Sequence, residues 1–116
     1  MFTQEVRNGF EMIGRTAACE LPAERTGFRR FLGVYPPRLD KDMPCVQGFN
    51  GLRLRLWHVR RFEIPERLVG QYFGEEQLIN QDSVELDSLE AVEALLAKWG
   101  IDSSILRVPW HADYPL

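Results

Sequence analysis

The sequence predicts an α+β fold: a single domain spanning residues 1–116, in which about two helices pack on an antiparallel or mixed sheet. A chain of this length is enough for one hydrophobic core but not for two. Several short segments alternate apolar with polar residues, which is typical of strands that bury one face. Two segments show the wider apolar spacing of an amphipathic helix. We therefore expect hairpin strands with helices covering one face of the sheet.

The clearest helix prediction lies in the last third of the chain, after a strand predicted around Val84. Asp87 or Ser88 can cap this helix, and Glu90 stands where a capping-box carboxylate belongs. Gly100 can end the helix by taking the left-handed conformation. The buried face is predicted from apolar residues at three- and four-residue spacing: Leu89, Val92, Leu95, Leu96 and Trp99.

The N-terminal third is predicted to contain a hairpin followed by a helix. Alternation that begins at Phe2 and an Asn-Gly pair at positions 8 and 9 favour two strands joined by a tight turn. Pro22 suits the first turn of a helix that runs to about Gly33. The proposed apolar face of this helix consists of Phe28, Phe31, Leu32 and Tyr35.

The middle of the chain is predicted to form a second hairpin, in which an Asn-Gly turn joins Cys45–Phe49 to Leu52–Val59. Strand character continues to Pro65, after which a short helix competes with strand or loop because two glycines follow. A last strand is predicted over Ile105–Val108. Together with the strand near Val84, it predicts a right-handed strand–helix–strand crossover that adds one parallel pair to the sheet.

Charge is distributed unevenly along the chain, although the net charge is only −3. Residues 1–67 hold 12 Lys and Arg against 8 Asp and Glu, a net of +4, whereas residues 68–116 hold 2 against 9, a net of −7. Such asymmetry between halves can mark an interaction surface. The competing interpretation is that the acidic residues simply solvate a helix face and a loop.

The residue types that support metal binding or nucleophilic catalysis occur without a recognised spacing. Cys19 and Cys45 are interpreted as reduced core thiols, and no cofactor is expected. His58, His111 and Asp113 likewise match no metal motif. A small enzyme that uses either histidine remains the least favoured hypothesis, and it predicts a cleft joining that histidine to a carboxylate or a cysteine.

No segment approaches the roughly 18 apolar residues that a membrane-spanning helix needs. The N-terminus also lacks a basic start followed by an apolar block, so no signal peptide is predicted and a cytoplasmic location is expected. Phosphate-binding glycine loops are absent from the sequence. These observations favour a binding protein over an enzyme.

A nucleic-acid-binding module is the alternative function. It would use cations interleaved with an aromatic residue on one strand face, namely Arg53, Arg55, Trp57, Arg60 and Arg61. The pI of about 5.4 and the acidic second half oppose this hypothesis, because they repel a phosphate backbone. Arginines on a strand face can also be ordinary solvent-facing sheet residues.

The chain resembles small bacterial toxin-immunity proteins, particularly those of contact-dependent growth inhibition and related polymorphic toxin systems. The resemblance lies in the size of the domain, the acidic stretch EEQLINQDSVELDSLEAVE and the ending ILRVPWHADYPL. It implies a non-enzymatic cytoplasmic inhibitor that binds a cognate toxin, often a nuclease, and covers its active site.

Two groups of residues are the candidates for partner binding. An acidic surface attracts a basic partner and speeds association. The carboxylates that would form it are Glu75, Glu76, Asp82, Glu85, Asp87, Glu90 and Glu93. Aromatic residues often dominate binding energy. The candidate anchors are Tyr72, Trp110 and Tyr114, for which core packing is the alternative role.

Overall fold

The computed structural model describes residues 1–37, 56–71 and 73–115. Four strands form one sheet in the order β1-β2-β3-β4, and every neighbouring pair is antiparallel. The strands are β1 (Ala17–Leu21), β2 (Phe28–Tyr35), β3 (Trp57–Pro65) and β4 (Ile79–Leu86). Two helices accompany them, α1 (Gln4–Ile13) and α2 (Leu89–Lys98). The predicted α+β domain is therefore confirmed, with a purely antiparallel sheet.

The N-terminal hairpin prediction is wrong, because this segment is helix α1. The Thr3 hydroxyl caps the helix by accepting a hydrogen bond from the N–H of Val6 at 3.3 Å. Phe2, Val6 and Phe10 recur at four-residue spacing and are all buried. Three alternating residues are too few to distinguish the two-residue period of a strand from the 3.6-residue period of a helix. The helix is favoured because it buries Phe2, Val6 and Phe10 together against the sheet.

The helix predicted from Pro22 to Gly33 is also wrong. Pro22 lies in the loop after β1, and residues 28–35 form strand β2. Leu32 packs in the core cluster on one face of the sheet, whereas Phe31 packs in the cluster on the other. A strand that is apolar on both faces shows no clean alternation, so its pattern resembles a helical stripe.

Helix α2 and the strand before it are confirmed. The Ser88 hydroxyl accepts the N–H of Ala91 at 3.1 Å, and Gly100 has the left-handed φ of 74° that ends the helix. The predicted parallel crossover is wrong, because no parallel strand follows α2 in residues 99–115. Instead Arg107 forms an isolated antiparallel bridge with Ala18 on β1.

The strand predicted to end at Pro65 is confirmed as β3, and the turn after it is a single 3₁₀ turn, Glu66–Leu68. The Asn-Gly hairpin, with Cys45–Phe49 and most of its second strand, lies outside the described residues. Ser103–Ile105 forms a 3₁₀ turn where the last strand was predicted to begin.

Both faces of the sheet bury apolar side chains, so the expectation of one covered face is corrected. The main cluster lies under α1 and α2 and includes Leu32, Val59 and Leu96, all fully buried. A second cluster on the opposite face centres on Phe31 and Phe62, with Tyr114 from the C-terminal segment packed against it. Within the described ranges, no helix is long and apolar enough to cross a membrane.

Candidate protein-binding surface

The connection between β4 and α2 carries three carboxylates within six residues of chain. Glu85 lies near the end of β4, Asp87 follows the strand, and Glu90 lies in the first turn of α2. All three side chains are exposed. These six residues, Glu85 to Glu90, lead from the strand into the helix, and we call their three exposed carboxylates the acidic corner.

No cation neutralises the acidic corner within the described part of the chain. None of its three carboxylates takes part in an ion pair or a side-chain hydrogen bond there. Like charges without a counterion raise the local negative potential and attract a positively charged partner. The corner is thus a source of uncompensated negative charge.

The arginines of the sheet, in contrast, are paired within the domain. Arg29 binds Glu20 at 2.6 Å and also contacts Asp113 at 3.3 Å. Arg61 binds Asp82 at 2.7 Å, and its guanidinium stacks 3.7 Å from the centre of the Trp99 ring. These two sheet arginines are therefore compensated within the domain, whereas the carboxylates of the acidic corner are not.

The other predicted carboxylates have different surroundings. Asp82 is exposed but is engaged by Arg61, and the exposed Glu76 lies beside Gly74. Glu93 is half-buried, and its Oε1 is enclosed without a hydrogen-bond partner in the described part. Glu75 belongs to the 3₁₀ turn Glu75–Gln77, and its side chain lies outside the described residues. Of the seven carboxylates, the three of the acidic corner are thus both exposed and without an ion pair in the described part of the chain.

The three candidate anchors also separate. Trp110 is 66% exposed, with the guanidinium of Arg15 5.8 Å from its ring centre. Tyr114 instead packs against Phe31 and Phe62, and its hydroxyl lies 2.5 Å from that of Tyr35. Burial raises the pKa of Tyr114 above its ordinary range. These contacts favour the core-packing role for this tyrosine, while Tyr72 lies outside the described residues.

Trp110 and the acidic corner lie beside opposite edge strands of the sheet. The 3₁₀ turn Pro109–His111, which holds Trp110, packs against β1, whereas the corner adjoins β4. Three strand spacings separate these two edges, a distance of about 14 Å. The predicted charge and the exposed indole therefore do not form one continuous patch.

The described part of the arginine-rich strand does not present one open face. Trp57 is half-buried and packs edge-to-face on Phe10, with ring centres 5.0 Å apart. Arg60 and Arg61 are successive residues of β3, so they lie on opposite faces of the sheet. Arg53 and Arg55 lie outside the described residues. One edge contact of the Trp57 indole is thus already taken up by the core.

A cleft of about 280 Å³ joins Cys19 to His111 and Asp113. The geometry that a histidine-based enzyme needs is thus partly present, but burial raises the pKa of Cys19 to about 12. The thiol therefore stays protonated at neutral pH and is a poor nucleophile. His58 elsewhere bonds through Nε2 to the Ser83 hydroxyl. The described ranges contain no group of three His, Cys, Asp or Glu placed to hold a metal ion.

Glu63 is a fully buried carboxylate that the sequence reasoning missed. Its Oε1 accepts the N–H groups of Glu24 at 2.9 Å and Arg25 at 3.2 Å, while its Oε2 accepts the side-chain amide of Asn80. Asn80 has a left-handed φ of 50°, next to an irregularity in the β3–β4 register. Glu63 therefore ties the β1–β2 loop to β4.

The surroundings of Glu63 also determine its ionisation. Burial alone would raise its pKa, but the hydrogen bonds from Asn80 and from two backbone N–H groups, together with the nearby Arg30 charge, hold the pKa below its ordinary value of 4.5. The sequence feature that could have indicated this buried carboxylate is its position between two apolar residues, Phe62 and Ile64, in a predicted strand.

No known protein family, curated protein or solved structure shows significant similarity to this chain.

Proposed function

We propose that this protein is a cytoplasmic immunity protein that binds a basic toxin domain, in particular a nuclease, and covers its active site. The observation that supports the proposal is the uncompensated charge of the acidic corner, Glu85, Asp87 and Glu90. A nuclease must attract phosphate groups, so its active-site cleft is positively charged. A surface of the opposite charge can occupy that cleft and accelerate association.

The distribution of ion pairs also favours this partner. Solubility alone would not require paired and unpaired charges to be separated. Here Arg29, Arg30 and Arg61 of the sheet form ion pairs within the domain, whereas the carboxylates of the acidic corner do not. The contrast concentrates negative potential at one place, which suits recognition of one basic surface.

The first experiment uses the C-terminal domain of the protein encoded immediately upstream as the partner. This domain is expected to arrest growth when it is expressed alone, and co-expression of the present chain is expected to restore growth through a stable complex. Growth arrest that the chain does not relieve, with no complex isolated, would contradict the proposal.

The second experiment tests the acidic corner itself. The triple variant Glu85→Lys, Asp87→Lys, Glu90→Lys is expected to bind the partner at least about 100-fold more weakly, because several complementary charges become repulsive. Isothermal titration at two salt concentrations measures this change, and the wild-type affinity should fall as salt rises.

The matched control reverses three exposed carboxylates elsewhere, Glu5, Glu11 and Glu66. Glu5 lies in the first turn of α1, as Glu90 does in α2, so the control also reproduces the helix-dipole effect. Equal losses in both variants would indicate a response to net charge alone and would remove the corner from the interface.

A further inference from the structure

We propose that the outer edge of β4 binds an extended basic segment of the partner as an added antiparallel strand. This inference rests on the proposed function and specifies how the basic partner docks. The observations that lead to it are the position of β4 in the sheet, the direction of its backbone groups and the charges that flank them.

Strand β4 lies at the end of the sheet order, with β3 on its inner side. Residues 80–83 and Glu85 are all exposed, and within the described part of the chain no backbone group pairs with its outer side. An edge strand of eight residues with open backbone groups is a template for an incoming strand.

The direction of the backbone groups follows from the bridge at the opposite edge. Ala18 uses its N–H and C=O outside the sheet, at 2.8 and 2.7 Å from Arg107, so Ala18 and Gly33 are a non-hydrogen-bonded pair. Gly33 must then bond to Arg60, since the pattern alternates across each strand. It follows that Ser83, the partner of Arg60 on β4, directs its N–H and C=O outward.

Glu85 lies two residues further along β4 and directs its backbone groups the same way. No register irregularity separates it from Ser83, because the break in the β3–β4 ladder lies nearer the start of β4. The outer edge therefore offers two donors and two acceptors in the spacing that an added strand requires.

The flanking charges select the occupant. A second copy of this chain would crowd the carboxylates of both copies along one seam, and like charges across strands are destabilising. A basic segment instead gains an ion pair at the unpaired Glu85 and shares Asp82 with Arg61, with an apolar contact at Val84 between them. The expected pattern in the partner is therefore basic–apolar–any–basic.

The competing explanation is that the edge carboxylates only prevent self-association of an exposed strand, which is a common use of charge at sheet edges. This explanation predicts no specific pairing at Ser83 or Glu85. The two explanations therefore differ in what happens to the outward backbone groups.

The test uses full-length ¹⁵N-labelled protein and a small library of synthetic nine-residue peptides, each with a central Lys-Val-Thr-Lys or Arg-Ile-Thr-Arg block. Fluorescence anisotropy measures affinity, and amide hydrogen exchange locates the contact. Binding is expected to slow exchange of the Ser83 and Glu85 amides, because both N–H groups become donors to the peptide.

Two substitutions of Ser83 distinguish the contribution of its backbone N–H to peptide binding from that of its side chain. Ser83→Pro removes the outward N–H and is tolerated by an edge strand, so binding is expected to weaken about tenfold or more. Ser83→Ala keeps the N–H while it removes the hydroxyl bonded to His58, and its affinity is expected to match the wild type within about twofold.

Each outcome decides the inference. No binding by any peptide, or equal binding by the Pro and Ala variants, overturns strand addition. If the upstream toxin domain still binds Ser83→Pro at full strength but fails to bind the corner triple variant, strand addition is wrong and the acidic-corner function stands. If the toxin domain binds both variants normally, strand addition is wrong and the acidic corner is not the interface, whereas the proposed function itself fails only if the wild-type chain forms no complex with the toxin domain.

Discussion

The two edges of the sheet differ in whether another segment of the chain pairs with their backbone groups. At the β1 edge the chain returns after α2, and Arg107 closes the ladder with two hydrogen bonds to Ala18. At the β4 edge no described segment returns, and exposed polar residues occupy the strand. The chain's own tail satisfies the backbone groups of one edge, and within the described residues those of the other edge stay open.

Charge follows the same division. Beside β1, Arg29 neutralises Glu20 and contacts Asp113 of the C-terminal segment, so the ion pairs help to hold the tail in place. Beside β4, Arg61 neutralises Asp82, but Glu85 and Asp87 nearer α2 have no counterion in the described part. The comparison shows that similar residue types serve closure at one edge and exposure at the other.

The largest change in stability is predicted for substitution of Glu63, which links the β1–β2 loop to β4. Glu63→Ala leaves two buried backbone N–H groups and the Asn80 amide without their acceptor, so the free energy of unfolding is expected to fall by about 3 kcal/mol or more. Urea denaturation measures this loss. The control Glu66→Ala removes an exposed carboxylate and should change stability by less than about 0.5 kcal/mol.

The same carboxylate predicts a pH dependence. Because the pKa of Glu63 is lowered in the folded state, its stabilising contribution is present above the ordinary value of 4.5 and is lost as pH falls through the lower folded pKa. Thermal melts across this range should show the wild type converging on Glu63→Ala. A difference between the two proteins that does not shrink at any acidic pH at which both are still folded contradicts the assignment.

The second effect compares proline at the two edges. Arg107→Pro removes an N–H that bonds to Ala18, so a loss of about 2 kcal/mol is expected, whereas Ser83→Pro removes an outward N–H and should cost less than about 1 kcal/mol. Arg107→Ala keeps the backbone bond and is the control. Equal melting temperatures for the two proline variants would show that the edges do not differ in this way.

The smallest effect is expected at Trp110, which lies beside β1 and is 66% exposed. Trp110→Ala should lower stability by less than about 1 kcal/mol and leave the affinity for the partner unchanged, because the acidic corner lies across the sheet. Titration of the variant with the toxin domain checks this expectation. A marked loss of affinity would instead show that the partner reaches both edges.

Local patterns predicted some elements well and others poorly, for physical reasons. Helix α2 was predictable because Ser88, the apolar stripe and Gly100 each act within a few residues of chain. Strand β2 was not, since it is buried on both faces and its apolar pattern depends on what packs above and below it. Phe2, Gln4 and Val6 indicated a strand because three alternating residues are too few to distinguish a strand from the first turn of a helix.

The candidate site divides in the same manner. The carboxylates of the acidic corner were predicted from a run without cations, because residues close in sequence stay close in space across one turn. The buried Glu63 was not predicted, since its partners come from segments about 40 and 17 residues away. Trp110 was predicted as an anchor, but only the sheet order showed that it lies far from the charge.

Residue type and short-range spacing were enough to predict the fold class, helix α2 and the concentration of negative charge in the second half of the chain. Contacts across the fold, in contrast, set which edge of the sheet is closed, which arginines are neutralised and which carboxylates remain exposed. Those outcomes depend on contacts between residues distant in the chain, such as Ala18 with Arg107, and no local pattern records which distant groups will meet.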